Sequence, residues 1–497
     1  MSDNKASYQQ ILKATSILGS VQFLTILFSV IRTKIIAVFI GPSGMGIIAL
    51  LNSTLNLIGG VTGLGIETSA IKSISENYKD DNIKSVSKIA EIVKKIMFFA
   101  GIFGAFLTIV FSKWISILSF GNDDQMYALI FLSITLIFKQ LTSSQMVVLQ
   151  GLRKLKLLAK ANLYGNLFGL LFSIPIYYFF RIDAIVPTII LSSFIALVFS
   201  FYYASKIRLQ KENIDTKQLL SEGKSIVKLG IMLTVSSLLT LLSAYLTQIY
   251  ISNVSSTEQV GLYSAGFTLL NSYVGIIFTV MSTDYYPRLA AINSDNTKIR
   301  TVVLQQSYIS ILIITPIIVL FLTFVPFIIK ALYTSKFIVI VSMVCFGIVG
   351  MLFRAVSFAM GYILIAKGDA AMFTKTAIAF NTLSLALNIV GYYFYGLEGL
   401  GISFLIYSVF HFFALKLITK KNYDFYLNKK ISVTFSICFL LCIASFFARY
   451  IELTILRSLL MGILCMIAIA YFLYEMNREI YLKEIVSAVF RNNKKES

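Results

Sequence analysis

Long apolar runs alternate with short polar connections along almost the whole chain. Fourteen runs carry this pattern, at residues 11–40, 45–71, 89–111, 126–149, 161–180, 184–204, 229–251, 260–281, 303–329, 338–365, 373–395, 400–418, 431–448 and 455–474. Most match the roughly 20 residues that a helix needs to cross the hydrocarbon core. The pattern predicts an all-α polytopic membrane protein with fourteen transmembrane helices. Several connections are only a few residues long, as at Gly41-Pro42-Ser43-Gly44, Arg181-Ile182-Asp183 and Gly396-Leu397-Glu398-Gly399. The longest, about 205–228, is too short to fold as a domain of its own.

The runs also repeat. Residues 215 positions apart match in one register: Gly46 with Gly261, Leu55-Asn56 with Leu270-Asn271, Gly60 with Gly275, and Phe138-Lys139 with Phe353-Arg354. The register continues through Lys160 and Lys375, Asn166 and Asn381, and Tyr177-Tyr178-Phe179 and Tyr392-Tyr393-Phe394. Six helices lie within one offset. An even number gives both copies the same orientation, so the repeat predicts two parallel six-helix lobes related by an axis along the membrane normal. We divide the chain into an N-lobe of helices 1–6 (1–214), a C-lobe of helices 7–12 (215–424), and helices 13–14 with a cytoplasmic tail (425–497). The last pair stands outside the repeat.

Composition fits this reading: 57% of residues are hydrophobic, 13% are charged, and the mean hydropathy is +0.82. The net charge of +20 reads as loop charge that orients helices rather than as a nucleic-acid surface. With both termini cytoplasmic, we assign 33 of the 43 Lys and Arg residues to the inner side and its helix ends and six to the outer side, and four lie deeper within helices. That bias is the positive-inside pattern. The polar start Met1-Ser2-Asp3-Asn4-Lys5 runs into a full-length helix, which argues against a cleavable signal. The four cysteines, Cys345, Cys438, Cys442 and Cys465, sit in apolar runs without further soft ligands, so no metal site is expected.

The four cations inside helices carry the chemistry. Lys139 and Arg354 lie near the middle of their runs and are equivalent in the repeat. A charge there costs on the order of 2.5–3.5 kcal/mol on insertion scales. Each is ten or more residues from either helix end, about 15 Å from water at 1.5 Å per residue, which is beyond the reach of a snorkelling side chain. For internal pairing we place one carboxylate well within a helix, Glu67, and one acid cannot neutralise four bases. The expectation is cations facing a wet cavity and awaiting an anionic ligand. Arg32 and Lys34 add positive charge toward the outer end of helix 1. Gln22, Thr25, Ser29 and Arg32 form a stripe at three- and four-residue spacing. Helix 7 carries Ser236, Thr240, Ser243 and Thr247 in the same way, and Asn56 and Asn271 are matched polar residues in helices 2 and 8. Such stripes serve either a cleft or helix–helix hydrogen bonding. His411 reads as a packing residue. Gly59, Gly60, Gly63 and Gly65 follow no strand and read as close packing, not as a nucleotide fingerprint. Pro175, Pro316 and Pro326 mark bends within spanning helices.

Five stretches in order carry a family resemblance: Lys34-Ile-Ile-Ala-Val-Phe-Ile-Gly-Pro-Ser-Gly-Met-Gly46, Gly151-Leu-Arg153, Tyr286-Pro287-Arg288-Leu289, Ser335-Lys336-Phe337 and Gly361-Tyr-Ile-Leu-Ile-Ala-Lys367. Over helices 1–12 the chain resembles bacterial Wzx-type polysaccharide flippases. Their exporter superfamily also holds multidrug extruders of the MATE type and the lipid II flippase. The resemblance implies MATE-like lobes and alternating access through a cationic central cavity. It implies transfer of an undecaprenyl-diphosphate-linked oligosaccharide, such as an O-antigen repeat unit, from the inner to the outer leaflet of the bacterial inner membrane. By position, Lys34, Arg153 and Arg354 match basic residues of such relatives, and Glu67, Arg153 and Arg288 are inner-gate candidates. The partners implied are the lipid-linked oligosaccharide, membrane lipids, and the polysaccharide polymerase with its chain-length machinery. No cofactor is expected; H+ or Na+ coupling, or the membrane potential, would supply the drive. Helices 13–14 depart from the common twelve and keep a lipid II-type flippase as an alternative. A MATE-like drug/cation antiporter is a second, but it would call for several intramembrane carboxylates. A glycosyltransferase or polymerase would want acidic motifs and a large external loop, and the sequence has neither.

Overall fold

The computed structural model describes residues 24–79, 83–207, 209 and 216–480. All of its regular structure among these residues is helical. The helices are α1 (24–39), α2 (Gly41–Gly63), α3 (Ile66–Lys79), α4 (Ile83–Phe120), α5 (Met126–Leu132), α6 (Ile134–Gly151), α7 (Leu155–Phe180) and α8 (Ile185–Ala204). They continue as α9 (Thr216–Val254), α10 (Thr257–Thr268), α11 (Ile276–Ala291), α12 (Asn296–Leu332), α13 (Val341–Ala366), α14 (Ala370–Tyr423), α15 (Lys429–Ala448) and α16 (Thr454–Ile480). A π-helical turn, Leu269–Val274, joins α10 to α11.

Eleven helical stretches among the described residues are long and apolar enough to cross a membrane. Two of them, Leu155–Ala204 and Ala370–Tyr423, fold back on themselves. The reversals occur at Arg181 (φ 52°, ψ −120°) and Gly396 (φ 55°, ψ −135°). These positions are 215 apart, and both have the positive φ that glycine tolerates best. Across the second reversal, Ser403 donates to the Leu387 carbonyl at 2.6 Å.

The repeat reaches other backbone turns. Helices α6 and α13 end alike: Arg153 (φ 54°) and Gly368 (φ 69°) are equivalent. The next amide donates five residues back in both, Lys154 to Leu149 at 2.8 Å and Asp369 to Leu364 at 3.1 Å. Only the second copy then gains a side-chain cap. Asp369 accepts the Met372 N–H at 2.9 Å and the Tyr423 hydroxyl at 2.8 Å, contacts that hold its carboxyl below the usual range. Lys154 makes no such cap.

The apolar run 45–71 does not form one helix. Leu64 (φ 46°) and Gly65 (φ 64°) both take left-handed backbone and separate α2 from α3. A side chain at Gly65 would collide with the Gly230 backbone. Glu67 therefore lies in the first turn of α3 rather than at the end of helix 2. Free N–H groups there favour a carboxylate.

The chain forms two compact units, Met1–Ser264 with Leu332–Lys336, and Ala265–Ala331 with Phe337–Ser497. In the first, α9 packs on α2, α3 and α4, although the sequence repeat counts it with the second lobe. Two repeat-equivalent glycines meet in this unit. A Cβ on Gly46 would strike the Thr257 carbonyl, and one on Gly261 the Pro42 carbonyl. Tyr245 joins α9 to its neighbours by hydrogen bonds with Thr54 (2.8 Å) and Ser119 (2.6 Å). In the second unit, α13 and α14 pack along their length and α15 lies against α13.

Candidate functional site

Arg32 and Lys139 line one cavity of about 490 Å³ in the first unit. Helices α1, α2, α6, α7 and α8 form its walls, with Asn52, Thr142, Ser173, Tyr177, Ser192 and Ser193 among the polar groups. The apolar faces of the same helices make the core behind it, around Leu51, Leu55, Leu136 and Ile185. The Thr142 hydroxyl is buried without a hydrogen-bond partner, a state that costs about 1–3 kcal/mol unless something bonds to it. Lys139 also borders a second cavity of about 370 Å³ between α2, α6 and α9, where Gly59, Gly60, Gly63 and Glu67 lie. Its ammonium donates to Asn56 Oδ1 at 3.3 Å.

The second unit repeats this arrangement with different surroundings. Arg354 on α13 donates to Asn271 Oδ1 at 2.5 Å, the repeat-equivalent contact. Asn271 lies within the π-helical turn, a feature that recurs at functional sites. The guanidinium sits over Phe278 at 5.8 Å, with Tyr407 and His411 near enough to feel its charge. His411 stacks on Tyr407 (5.6 Å) and meets Phe380 edge-on (4.4 Å), consistent with its reading as a packing residue. Among the described residues, no ion pair includes Arg32, Lys139 or Arg354.

The remaining predicted residues scatter more widely. Lys34 donates to the Tyr333 carbonyl in the segment Leu332–Lys336 of the same unit and is not among the residues lining the Arg32 cavity. Gln22 lies outside the described residues. Thr25 is half-buried and Ser29 exposed on α1, and Thr240 is exposed and bonds the Ser236 carbonyl of its own helix at 3.1 Å. Ser243 is buried on α9, where its carbonyl accepts Thr247 Oγ1 at 2.9 Å. Glu67 is exposed at the rim of the second cavity, while Arg153 and Arg288 are exposed at the ends of α6 and α11.

The sequence reading passed over two features. Ser192 and Ser193 form a polar pair inside the run 184–204 and line the Arg32 cavity; the pair itself was the signal. Glu475 lies one residue beyond the last apolar run, yet it is buried in α16, accepts the Tyr308 hydroxyl and pairs with Arg478 at 3.1 Å. All four cysteines are buried and free, and no group of metal-binding side chains occurs among the described residues.

The chain matches the family described as polysaccharide biosynthesis protein over residues 35–342. It is 22% identical over 306 residues to a Shigella flexneri protein named "Putative O-antigen transporter", covering 60% of this chain and 71% of that one. Among solved structures it resembles the lipid II flippase MurJ in an inward closed conformation. The TM-score is 0.71 at 14% identity, covering 94% of this chain and 99% of the other. It also resembles a multidrug resistance MATE family transporter of the MOP superfamily in its inward-facing conformation. Here the TM-score is 0.67 at 14% identity, covering 84% and 98%. At such identities these likenesses establish the fold.

Proposed function

Because the chain belongs to the polysaccharide biosynthesis protein family, we propose that it is a membrane flippase for an oligosaccharide linked through diphosphate to a long isoprenoid chain. The observation that carries this reading is the cavity shared by Arg32 and Lys139, which no ion-paired carboxylate neutralises among the described residues. A diphosphate crossing the membrane needs its lost hydration replaced. Two cations, the unpartnered Thr142 hydroxyl and the Ser192 and Ser193 hydroxyls offer charge-assisted and neutral hydrogen bonds within one pocket. The sugar would ride in the protein and the isoprenoid tail in lipid.

The charge bias of the connections supports an orientation with cytoplasmic termini in the bacterial inner membrane. With the cell interior negative, moving two negative charges outward gains roughly 4–5 kcal/mol per 100 mV. The potential can therefore drive the cycle without a coupled ion. A transport assay in vesicles tests this. A lipid-linked oligosaccharide should reach the far leaflet with the unaltered protein, and the rate should rise with the imposed potential. Arg32→Ala with Lys139→Ala should abolish transfer. Uptake of a cationic dye that is lost on Glu67→Gln, with no lipid transfer, would instead identify a drug/cation antiporter.

A further inference from the structure

A third concavity of the first unit, about 800 Å³, adjoins the walls of the Arg32 cavity. It is lined mainly by apolar residues, including Ile47, Phe131, Phe138, Ile190, Leu191 and Phe194. The two spaces share α2, α6 and α8 and alternate along them. Ile47, Phe138, Ile190 and Phe194 face the apolar groove, while their chain neighbours Ile48, Lys139, Ile189 and Ser193 face the cationic cavity. Phe138 and Phe194 touch at 5.6 Å and line the groove beside that cavity. An amphiphile can thus place its charge on one side of this wall and its chain on the other. Phe131 (63%) and Phe194 (47%) are exposed, so the groove is open on its flank.

The internal repeat shows what such a face otherwise carries. The equivalents of Phe131 and Phe138 are Phe346 and Phe353 of α13. Helix α15 covers both: Phe446 lies 4.9 Å from Phe346, and Phe435 and Phe439 lie 5.1 and 5.5 Å from Phe353. Helices α15 and α16 have no counterpart in the first copy. One copy therefore covers this apolar cleft with α15, and among the described residues the other keeps it apolar, concave and open beside two cations.

We propose that the uncovered groove holds the first isoprene units of the carrier chain, with the attached diphosphate at Arg32 and Lys139. The inference rests on the reading of those cations as the phosphate site. The groove begins at the end of the unit that carries Gln125, Ile182 and Asp183, the outer side in the orientation given above. It would thus receive the chain as the headgroup arrives at the outer leaflet.

The test uses the full chain in nanodiscs and a C55 polyprenyl diphosphate with a photoreactive diazirine on its second isoprene unit. Labelled peptides should map to α5, α6 and α8, and a diazirine-tailed phosphatidylglycerol should not label them above background. Ala128→Trp with Leu191→Trp, which fills the groove, should cut labelling at least fivefold while leaving inorganic pyrophosphate binding intact. Phe131→Ala, an exposed position whose loss removes little packing, should lower labelling without lowering the melting temperature. Label on α15 and α16, or labelling indifferent to groove filling, would overturn the groove. So would equal labelling by the phospholipid probe, which would make the groove a site for bulk lipid. Groove labelling that persists with unchanged pyrophosphate binding after Arg32→Ala and Lys139→Ala would keep the groove and overturn the phosphate assignment.

Discussion

Lys139 and Arg354 stand at the same place in two copies of one design, yet their surroundings differ. Each donates to the asparagine 83 residues before it, Asn56 or Asn271. Around Lys139 the repeat puts small residues: Gly63, Gly165, Ser192 and Ala196. The equivalent positions around Arg354 are Phe278, Phe380, Tyr407 and His411, and the rings gather at the guanidinium and on one another. The duplicated backbone keeps the cation and its amide partner, and the volume of the neighbours decides what the cation faces. In the first copy it faces empty polar space with a second cation, Arg32. In the second it faces aromatic surface, which suits a guanidinium and leaves less room for a phosphate. On the function proposed above, the first copy is the better place for the phosphate.

Removing charge from the first copy should have the largest effect. A hydrogen bond to a charged group contributes about 1.5–3 kcal/mol, so Lys139→Ala alone should slow lipid transfer by roughly 10- to 100-fold. Adding Arg32→Ala should bring transfer to background in the vesicle assay. Arg354→Ala should cost less than Lys139→Ala; the reverse order would break the assignment of the phosphate to the first copy.

Exchanging the cations sharpens the contrast. Lys139→Arg should keep most activity, because a roomy polar cavity accepts either head. Arg354→Lys gives up a planar group that lies over Phe278 while bonding Asn271. Its loss should be about 0.5–2 kcal/mol, roughly two- to thirtyfold in rate, together with a lower melting temperature. Equal tolerance at both positions would mean that the aromatic setting of Arg354 has no energetic consequence.

How much of this was legible in the sequence follows from what each signal depends on. Apolar run length marks helices because lipid leaves backbone groups no other partner. The repeat was readable at Lys139 and Arg354 because an intramembrane charge is rare enough to stand out against Leu, Ile and Phe. The break at Leu64 and Gly65 was not readable, because the hydrophobic run continues through it and the close approach of Gly230 from α9 leaves no mark in the local sequence. Glu475 was missed for a related reason. An acid just past an apolar run reads as a loop residue until Tyr308 and Arg478 are seen to hold it. Lys34 and Arg32 are two residues apart and look alike in sequence, but helical geometry turns them to different faces, and only Arg32 lines the cavity.

Volume at the crossing of α7 and α8 offers a test on stability rather than transfer. A Cβ on Gly165 would sit 3.4 Å from the Ala196 Cα, whereas the second copy holds Phe380 and His411 there. Grafting the second pattern onto the first, as Gly165→Phe, overpacks a crossing built for small residues. The expected cost is about 1–3 kcal/mol in unfolding free energy. Adding Ala196→His should not rescue it, because helix spacing and not side-chain pairing is mismatched. Full rescue by the pair would show that the two copies share a backbone spacing at this point.

The smallest effects should appear at the reversals, where the two copies share a backbone conformation but not a residue. Arg181 adopts φ 52° and Gly396 φ 55°. Positive φ costs a residue with a Cβ about 1–2 kcal/mol, so Arg181 sustains strain that Gly396 does not. Part of it is offset by the guanidinium lying over the Phe39 ring at 5.2 Å, an exposed cation–π contact of about 0.5–1 kcal/mol. Arg181→Gly would relieve the strain but lose that contact, and it would free the unfolded chain by about 0.4–1 kcal/mol. These terms nearly cancel, and its melting temperature should stay close to that of the unaltered protein. Gly396→Ala gains only the reverse of that unfolded-chain term, about 0.4–1 kcal/mol, because the space around its absent Cβ is empty and no ring contact is added. It should be the less stable variant by about 1 kcal/mol. Equal stability of the two variants would mean that the second reversal relaxes to negative φ, and the conformational match between the copies would fail at that turn.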